Sequence, residues 1–204
     1  MITLIDYGVG NIFAFQNVYK RLDIPTKIAK TQEDLSDAEK LILPGVGSFD
    51  YAMLQLNASG MREKLDDLVL EKKVPVIGIC VGMQMMGNRS DEGKLEGLKW
   101  IDSEILKFDE SLIQQRTKLP HMGWNDVAPV KNHPLFIGLE KEAIFYFLHS
   151  FYFKCNNPTH NIAVSEYGLS FSSAVNCDNI YGIQFHPEKS HQYGEKLLLN
   201  FAKL

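Results

Sequence analysis

The sequence predicts a single α/β domain over residues 1–204: a doubly wound, mostly parallel sheet flanked by helices, with antiparallel strand additions. Two observations predict this class. Over residues 1–90, short apolar runs alternate with amphipathic helical patterns, as expected for parallel strands covered on both faces. From about residue 99 onward, strand-like runs follow one another with short polar turns and no helix between them. Such strands can extend the same sheet in antiparallel fashion, which favours one domain over two.

The first part contains three predicted strands and three predicted helices. "ITLIDY" has the composition of a buried strand, and Asn11 is placed to cap the helix that follows it. The apolar face of that helix is formed by Ile12, Phe15, Tyr19 and Leu22. The remaining elements are strands at "KLILPG" and "VPVIGI", an amphipathic helix carrying Met61, Leu65, Leu68 and Val69, and a helix that begins near "MQMM".

The second part is predicted to consist of strands closed by one helix. The strand candidates are "WIDSEILKF", "NDVAPV", "AIFYFLHSFYF", "NIAVSEY", "FSSAVN" and "IYGIQF". "YGEKLLLNFAKL" has the apolar periodicity of a final helix.

Composition excludes several classes of protein. The chain has 204 residues, 45% of them hydrophobic, and a formal net charge of −4, which argues against a general affinity for nucleic acid or anionic membranes. No apolar stretch is long enough to span a bilayer, and Met1 leads into the first strand without a basic leader. The three cysteines lack the spacing of a disulfide framework or a metal site. We therefore expect a cytoplasmic protein that needs no metal or cofactor.

Cys80 ends an apolar run and lies between Gly78 and Gly82. A strand, then Gly-x-Cys-x-Gly, then a helix resembles the nucleophile elbow. The glycines allow a tight turn, and the free N–H groups at a helix start favour a thiolate and can hold an oxyanion. On this stretch alone the alternative stays open, in which Cys80 is a small buried hydrophobic residue.

"GIQFHPEKS" offers partners for a nucleophilic cysteine. Residues two apart in an extended segment point to the same side, so His186 and Glu188 can project together. Pro187 favours an extended conformation at His186. The imidazole could deprotonate a thiol and later protonate a leaving group, while the carboxylate fixes its tautomer. Taken alone, the segment is more typical of an ordinary strand exit.

Together, "GICVGMQ" and "FHPEKS" resemble the class I, triad-type glutamine amidotransferases, a family with a doubly wound α/β glutaminase domain. The resemblance implies that Cys80 attacks the carboxamide of L-glutamine to give a glutamyl thioester, with His186 as base and then acid, oriented by Glu188. It also implies oxyanion donors at the backbone of Gly47 and Val81, with the glycines of the "PGVG" peptide easing its reorientation. The glutamine pocket would then be formed by Gln84, Glu92, Ser150 and Phe151.

Further motifs resemble one branch of that family, the glutaminase subunits of imidazole glycerol phosphate synthase: "IDYGVGN", "LPGVGSF", "PHMGWN" and "FLHSFY". These work in histidine biosynthesis beside a separate (β/α)₈-barrel cyclase subunit, in a heterodimer. The resemblance implies that ammonia passes to the cyclase, which makes imidazole glycerol phosphate and AICAR.

A loop-like segment around "PHMGWN" is expected to carry the partner interface, because exposed Met and Trp side chains often mark one. The candidate interface residues in this segment are Pro120, His121, Met122, Trp124 and Asn125, and the resemblance implies that Tyr146 and Lys189 belong to the same interface. The alternative is that Trp124 starts a strand and packs inward.

Two other functions stay open at this point. A paralogous glutaminase could supply ammonia to a different synthase, for instance one that amidates a surface sugar, and a non-catalytic docking subunit could retain the fold. The departure of "KWIDSEI" from the family pattern leaves the pathway undecided. "GVGN" is interpreted as a tight turn, since Phe13 stands where a nucleotide fingerprint would need its third glycine. Cys155 and Cys177 are expected to be inert packing residues.

Overall fold

The structure is a computed structural model that describes residues 1–204. It contains thirteen strands and five α-helices. The strands are β1 (Ile2–Ile5), β2 (Thr26–Ala29), β3 (Leu41–Gly45), β4 (Val76–Cys80), β5 (Arg89–Ser90), β6 (Ser103–Lys107), β7 (His121–Asp126), β8 (Ala128–Pro129), β9 (Ile144–His149), β10 (Phe151–Cys155), β11 (Asn161–Tyr167), β12 (Leu169–Cys177) and β13 (Ile180–Ile183). The helices are α1 (Ile12–Arg21), α2 (Phe49–Ala58), α3 (Arg62–Asp66), α4 (Val81–Met85) and α5 (His191–Lys203).

Five parallel strands form one half of the main sheet, in the order β2-β1-β3-β4-β13. Every residue of β1, β3 and β4 is buried, as expected for strands with helices over them. β13 comes from the far end of the sequence and pairs directly with β4. This pairing brings the segment after β13 to the same edge as the segment after β4.

The other half of the main sheet is antiparallel except at its edge, where the short strand β5 pairs parallel with β6. β12 continues from β13 in antiparallel fashion, and β10 and then β6 follow in the same sense, with the two-residue strand β5 at the edge. β11 and β8 attach to β12 beside this path. The predicted fold class, a largely parallel α/β sheet with antiparallel additions, is confirmed.

One expectation about the strands is wrong. β7 and β9 do not join the main sheet but form a separate two-stranded antiparallel sheet, in which His121 pairs with His149 and Trp124 with Tyr146. We call this pair of strands the ribbon. The apolar run "AIFYFLHSFYF" is therefore split at Ser150, with β9 in the ribbon and β10 in the main sheet.

The predicted helices are present with the expected apolar periodicity, and a further helix and a further strand were not predicted. Asn11 caps α1 as expected, its side chain accepting a hydrogen bond from the Ala14 N–H. The predicted helix near Met61 is α3, which continues as a π-helical turn at Asp67–Glu71. Strand β2 and helix α2 were not predicted, since β2 is only half-buried and α2 has an indistinct apolar face.

The core is continuous across both halves of the sheet. Its 57 buried hydrophobic residues form one contact cluster that includes apolar residues from every α-helix. The three cysteines are free. None of the helices combines the length and the apolar character needed to cross a membrane. No group of three or more His, Cys, Asp or Glu residues is arranged to hold a metal ion.

Candidate active site

Cys80 is the last residue of β4 and immediately precedes α4. Its backbone has φ 56° and ψ −113°, a strained conformation for a residue with a side chain and one that is common at functional turns. The two flanking glycines are required by close packing. A Cβ at Gly82 would lie 2.0 Å from the Leu43 carbonyl oxygen, and one at Gly78 would lie 2.6 Å from the Gly82 carbonyl oxygen. This strand, strained turn and helix have the geometry of a nucleophile elbow.

His186 and Glu188 follow β13 and lie side by side. His186 Nδ1 donates to Glu188 Oε1 at 2.8 Å, and both side chains are only 4% exposed. The backbone of His186 is fixed to the ribbon, since its N–H donates to the Tyr146 carbonyl at 2.8 Å. Ser190 completes the arrangement: its hydroxyl donates to the His186 carbonyl and accepts from the Tyr146 N–H.

The electrostatics of His186 favour its cation. Burial by itself would lower the pKa of His186, but hydrogen bonds with Cys80 and Glu188, together with their negative charge, outweigh burial and raise it to about 10. The imidazole is therefore protonated at neutral pH. An imidazolium next to a cysteine stabilises the thiolate, which is the nucleophilic form.

A cavity of about 270 Å³ opens beside Cys80. It is lined by Val46, Gly47, Cys80, Val81, Gln84, Glu92, Pro120, Leu148, His149, Ser150, Phe151, His186 and Lys189. All four residues predicted for the glutamine pocket and both predicted oxyanion residues are in this set. Glu188 is not, because it lies behind His186.

Two of the pocket residues are held by the surrounding backbone. Gln84 is buried, and its Nε2 donates to the Phe151 carbonyl at 3.1 Å and to Gln184 Oε1 at 3.0 Å. Glu92 Oε2 accepts from the Phe49 N–H at 2.8 Å, at the start of α2. Both side chains therefore have fixed positions at the cavity wall.

The "PGVG" segment has one fixed end and one adaptable end. The Pro44 carbonyl accepts a 2.6 Å hydrogen bond from the hydroxyl of buried Tyr7. Gly45 belongs to β3, and a Cβ there would lie 2.4 Å from the Gly82 nitrogen, so this glycine serves close packing. Gly47, by contrast, has φ +84°, and a Cβ there would meet only Tyr51 Cδ1, at an ordinary contact distance of 4.0 Å. Only Gly47 thus has the freedom that was expected of both glycines.

The predicted interface residues of the ribbon divide between its two faces, and the other two, Pro120 and Lys189, lie outside its strands. Met122 and Trp124 are 63% and 45% exposed. Lys189 lies 5.6 Å from the ring centroid of Tyr146, and the Trp124 ring packs edge-on against the same tyrosine. Pro120 lines the cavity. Lys189 also lines the cavity, and Met122 pairs in register with Leu148, another lining residue, so these residues lie beside the cavity.

Two features of the predicted interface need correction. The segment expected to be a loop is strand β7 from His121 onward. Strand alternation turns His121 inward, where it is 4% exposed, and the Asn125 amide is engaged by His121 and by the Glu166 carbonyl. The alternative for Trp124 is wrong in part, since Trp124 lies in a strand but faces outward.

Several site residues were not predicted. The Leu148 carbonyl oxygen lies 3.8 Å from Cys80 Sγ, and Gln184 Nε2 lies at the same distance from it. Gln184 could have been found, since it is an amide in the otherwise apolar run "IYGIQF", two residues before His186. Tyr7 and Leu148 carry no such signal, because Tyr7 acts over a long sequence separation and Leu148 acts through its backbone.

Comparison with known proteins agrees with this geometry. The family model for class I glutamine amidotransferases matches residues 3–203. The protein named imidazole glycerol phosphate synthase subunit HisH in Bdellovibrio bacteriovorus is 56% identical over 204 residues, which is the full length of both chains. The subunits of that name from Leptospira interrogans and, as HisH 2, from Pseudomonas aeruginosa are 48% and 46% identical, again over all of both chains.

Solved structures show the same fold at lower identity. A crystal structure described as glutamine amidotransferase superposes with a TM-score of 0.73 at 16% identity, covering 100% of this chain and 99% of the other. A glutamine amidotransferase of Thermotoga maritima gives a TM-score of 0.64 at 15% identity, covering 99% of this chain and 82% of the other. With its family match spanning nearly every residue, the chain belongs to the class I glutamine amidotransferases.

Proposed function

We propose that this chain is the glutaminase subunit of an imidazole glycerol phosphate synthase, and that it hydrolyses L-glutamine to glutamate and ammonia for a cyclase partner. The observation that carries the proposal is the meeting of Cys80 and His186 at one cavity, with Glu188 bonded to the far side of the imidazole. Full-length relatives named as HisH subunits support the choice of synthase.

The first half of the reaction forms a thioester. The Cys80 thiolate attacks the carboxamide carbon of glutamine, and the carbonyl oxygen becomes an oxyanion. Backbone N–H groups of Gly47 and Val81 are the proposed donors to that oxyanion. The tetrahedral intermediate collapses as the His186 imidazolium gives its proton to the departing nitrogen, so ammonia leaves and a glutamyl thioester remains.

The second half restores the enzyme. His186, now neutral, takes a proton from water, and the resulting hydroxide attacks the thioester carbon. Glutamate leaves when the carbon–sulfur bond breaks, and the imidazolium–thiolate pair forms again. Glu188 stays ionised throughout, because its contribution is to orient the imidazole and stabilise its cation.

The ammonia product explains the need for a partner. Free ammonia in water at neutral pH becomes protonated and ceases to be a nucleophile, whereas a closed passage keeps it reactive. We propose that a (β/α)₈-barrel cyclase docks over the cavity mouth, on Met122, Trp124, Tyr146 and Lys189, to form a cytoplasmic heterodimer. No metal or cofactor is needed for the glutaminase steps.

The decisive experiment measures glutamate release by the chain alone, with a HisF-type cyclase from the same genome, and with the cyclase and its ligand. We expect weak hydrolysis alone and stimulation by the liganded partner, since docking would both cap the cavity and favour the productive "PGVG" peptide. Equal, negligible hydrolysis in all three conditions would support the non-catalytic alternative.

Cys80→Ala provides the matched test of the chemistry. The variant should lose glutamine-dependent synthesis while the complex still makes product from added ammonium salts, because the nucleophile and the acceptor lie on different subunits. Loss of both activities to the same degree would contradict the separation of the two sites. Failure of the soluble wild-type chain to complement a histidine auxotroph would instead favour the paralogous function.

A further inference from the structure

The ribbon has two faces with different chemistry. Its outer face carries the exposed side chains of Met122, Trp124 and Leu148. Its inner face carries His121 and His149, a directly opposed pair whose side chains are both buried. Histidine side chains are expensive to bury unless both ring nitrogens find partners. None of the steps proposed above uses either residue.

A single chain of hydrogen bonds satisfies both rings. His149 Nδ1 lies 2.8 Å from the Phe151 carbonyl, which only accepts, so this nitrogen carries the proton. His149 Nε2 is then an acceptor and receives the 2.9 Å bond from His121 Nδ1. His121 Nε2 in turn accepts from the Asn125 amide at 3.2 Å. Each ring is neutral, and its tautomer is set by the next member of the chain.

Burial supports the neutral state of both rings. It lowers the pKa of His121 to about 4 and that of His149, which also faces His121 and His186, to about 3. Packing also holds the ring of His121 in place, since it stacks on Phe147 and Tyr167 with centroid separations of 4.8 and 4.1 Å. The direction of the chain is therefore fixed at neutral pH.

The chain ends on the wall of the glutamine cavity. The Phe151 carbonyl accepts from both His149 and Gln84, and these two donors act with the Phe108 N–H, which donates to the Ser150 carbonyl, to orient the backbone at Ser150 and Phe151. Ser150 and Phe151 both line the cavity, and so does His149. A change in the position of His121 would be transmitted through His149 to this backbone.

We propose that His121 and His149 are positioning residues that hold the Ser150–Phe151 backbone in its glutamine-binding orientation and link that orientation to the outer face of the ribbon. The inference rests on the proposed glutaminase function and deepens it. Met122 and Trp124 share β7 with His121 and Asn125, so one strand carries both the docking surface and the start of the hydrogen-bond chain.

Substitutions at His121 separate the hydrogen bond from the packing. His121→Phe keeps an aromatic ring of similar size but removes the donor to His149. His121→Asn keeps a donor close to the Nδ1 position and gives up the ring. Asn125→Leu removes the far end of the chain at a half-buried position, where folding should tolerate the change. His133→Phe is the matched control, since His133 is half-buried, also hydrogen-bonded, and lines no part of the cavity.

The readouts are the glutamine KM and kcat of the complex with its cyclase, and the rate at which iodoacetamide alkylates Cys80, followed by mass spectrometry. Iodoacetamide reports on the thiolate without needing the glutamine pocket. We expect His121→Phe to raise KM about tenfold, equivalent to about 1.4 kcal/mol, with kcat and alkylation within about twofold of wild type. Asn125→Leu should raise KM less, His121→Asn should recover most of the loss, and His133→Phe should leave KM unchanged.

Three results would overturn the positioning role: an unchanged KM in His121→Phe, a KM in His121→Asn as poor as in His121→Phe, or alkylation slowed in step with the loss of glutamine binding. The last would indicate general loosening of the site. These results are distinct from failure of the proposed function, in which the wild-type complex would not hydrolyse glutamine at all. If His121→Phe does not fold, Asn125→Leu decides by the same comparison of KM with alkylation.

Discussion

The parallel half of the main sheet and the ribbon both contribute to the active site, but by different means. The parallel half fixes Cys80 through backbone packing, with β3 and α4 so close that Gly82 has no room for a methyl group. The ribbon contributes through hydrogen bonds: the Leu148 carbonyl faces the thiol, the Tyr146 carbonyl holds His186, and His149 holds the Phe151 carbonyl.

The difference predicts two kinds of failure. Crowding in the parallel half has no cheap relief, because the atoms that would clash belong to backbone, so substitutions there should cost stability. A lost hydrogen bond in the ribbon leaves packing largely intact, so substitutions there should alter binding, proton transfer or coupling first. Chemical rate and global stability can therefore be perturbed separately.

The largest effect is expected from Gly82→Ala. Its Cβ would be placed 2.0 Å from the Leu43 carbonyl oxygen, which forces β3 and α4 apart. We expect the free energy of unfolding to fall by about 3 kcal/mol or more in urea denaturation. Gly60→Ala is the control, since Gly60 has open surroundings and only its φ of +73° to penalise a side chain, at about 1 kcal/mol. Equal losses in both variants would show that close packing does not govern the turn.

Glu188→Gln removes the charge beside His186 and keeps nearly the same shape. Glu188 helps to raise the pKa of His186 to about 10, so the amide should lower that pKa. The imidazolium would then be lost at a lower pH, and the alkaline decline of kcat/KM should move toward neutrality. We expect kcat/KM at pH 7.5 to fall on the order of 10²-fold. The pH profile is compared with that of Glu140→Gln, an exposed carboxylate off the cavity. Coincident profiles would remove Glu188 from the catalytic group.

Sequence reasoning reached the two halves unequally, for a physical reason. In the parallel half, the important residues can be recognised from short sequence patterns. These patterns are the buried strands, Gly78 and Gly82 around Cys80, and His186 and Glu188 two residues apart. Those signals follow from strand and turn geometry, so they can be interpreted from short stretches.

The ribbon carries no comparable local signal. Its departure from the main sheet depends on a break at Ser150 inside a continuous apolar run, and its key contacts are backbone carbonyls that any residue would provide. The two faces of β7 were also missed. Met122 and Trp124 point outward while His121 and Asn125 point inward, but that alternation is visible only once the segment is known to be a strand.

The buried histidines should make the ribbon sensitive to acid. The pKa values of His121 and His149, about 4 and about 3, lie below that of an exposed histidine. Near and below pH 6.5 these two residues therefore bind more protons in the unfolded chain than in the folded one. Stability is therefore lost as the pH falls, by about 2 kcal/mol for each histidine between pH 7 and pH 5. Urea denaturation at both pH values should show His121→Phe losing about 2 kcal/mol less than wild type over this interval. An identical loss would mean that His121 is not held neutral.

The smallest effect is expected on the outer face of the ribbon. Trp124 is 45% exposed and packs against Tyr146 and His191, so Trp124→Ala removes little from the core. We expect the dissociation constant for the cyclase to rise about tenfold, or about 1.4 kcal/mol, by calorimetric titration. The melting temperature should change by no more than about 2 °C. Ile137→Ala, at an exposed apolar residue away from the cavity, should leave the dissociation constant unchanged. If the two variants bind alike, the docking surface lies elsewhere. The hydrogen-bond chain through His121 and His149 would then not connect the cavity to the partner.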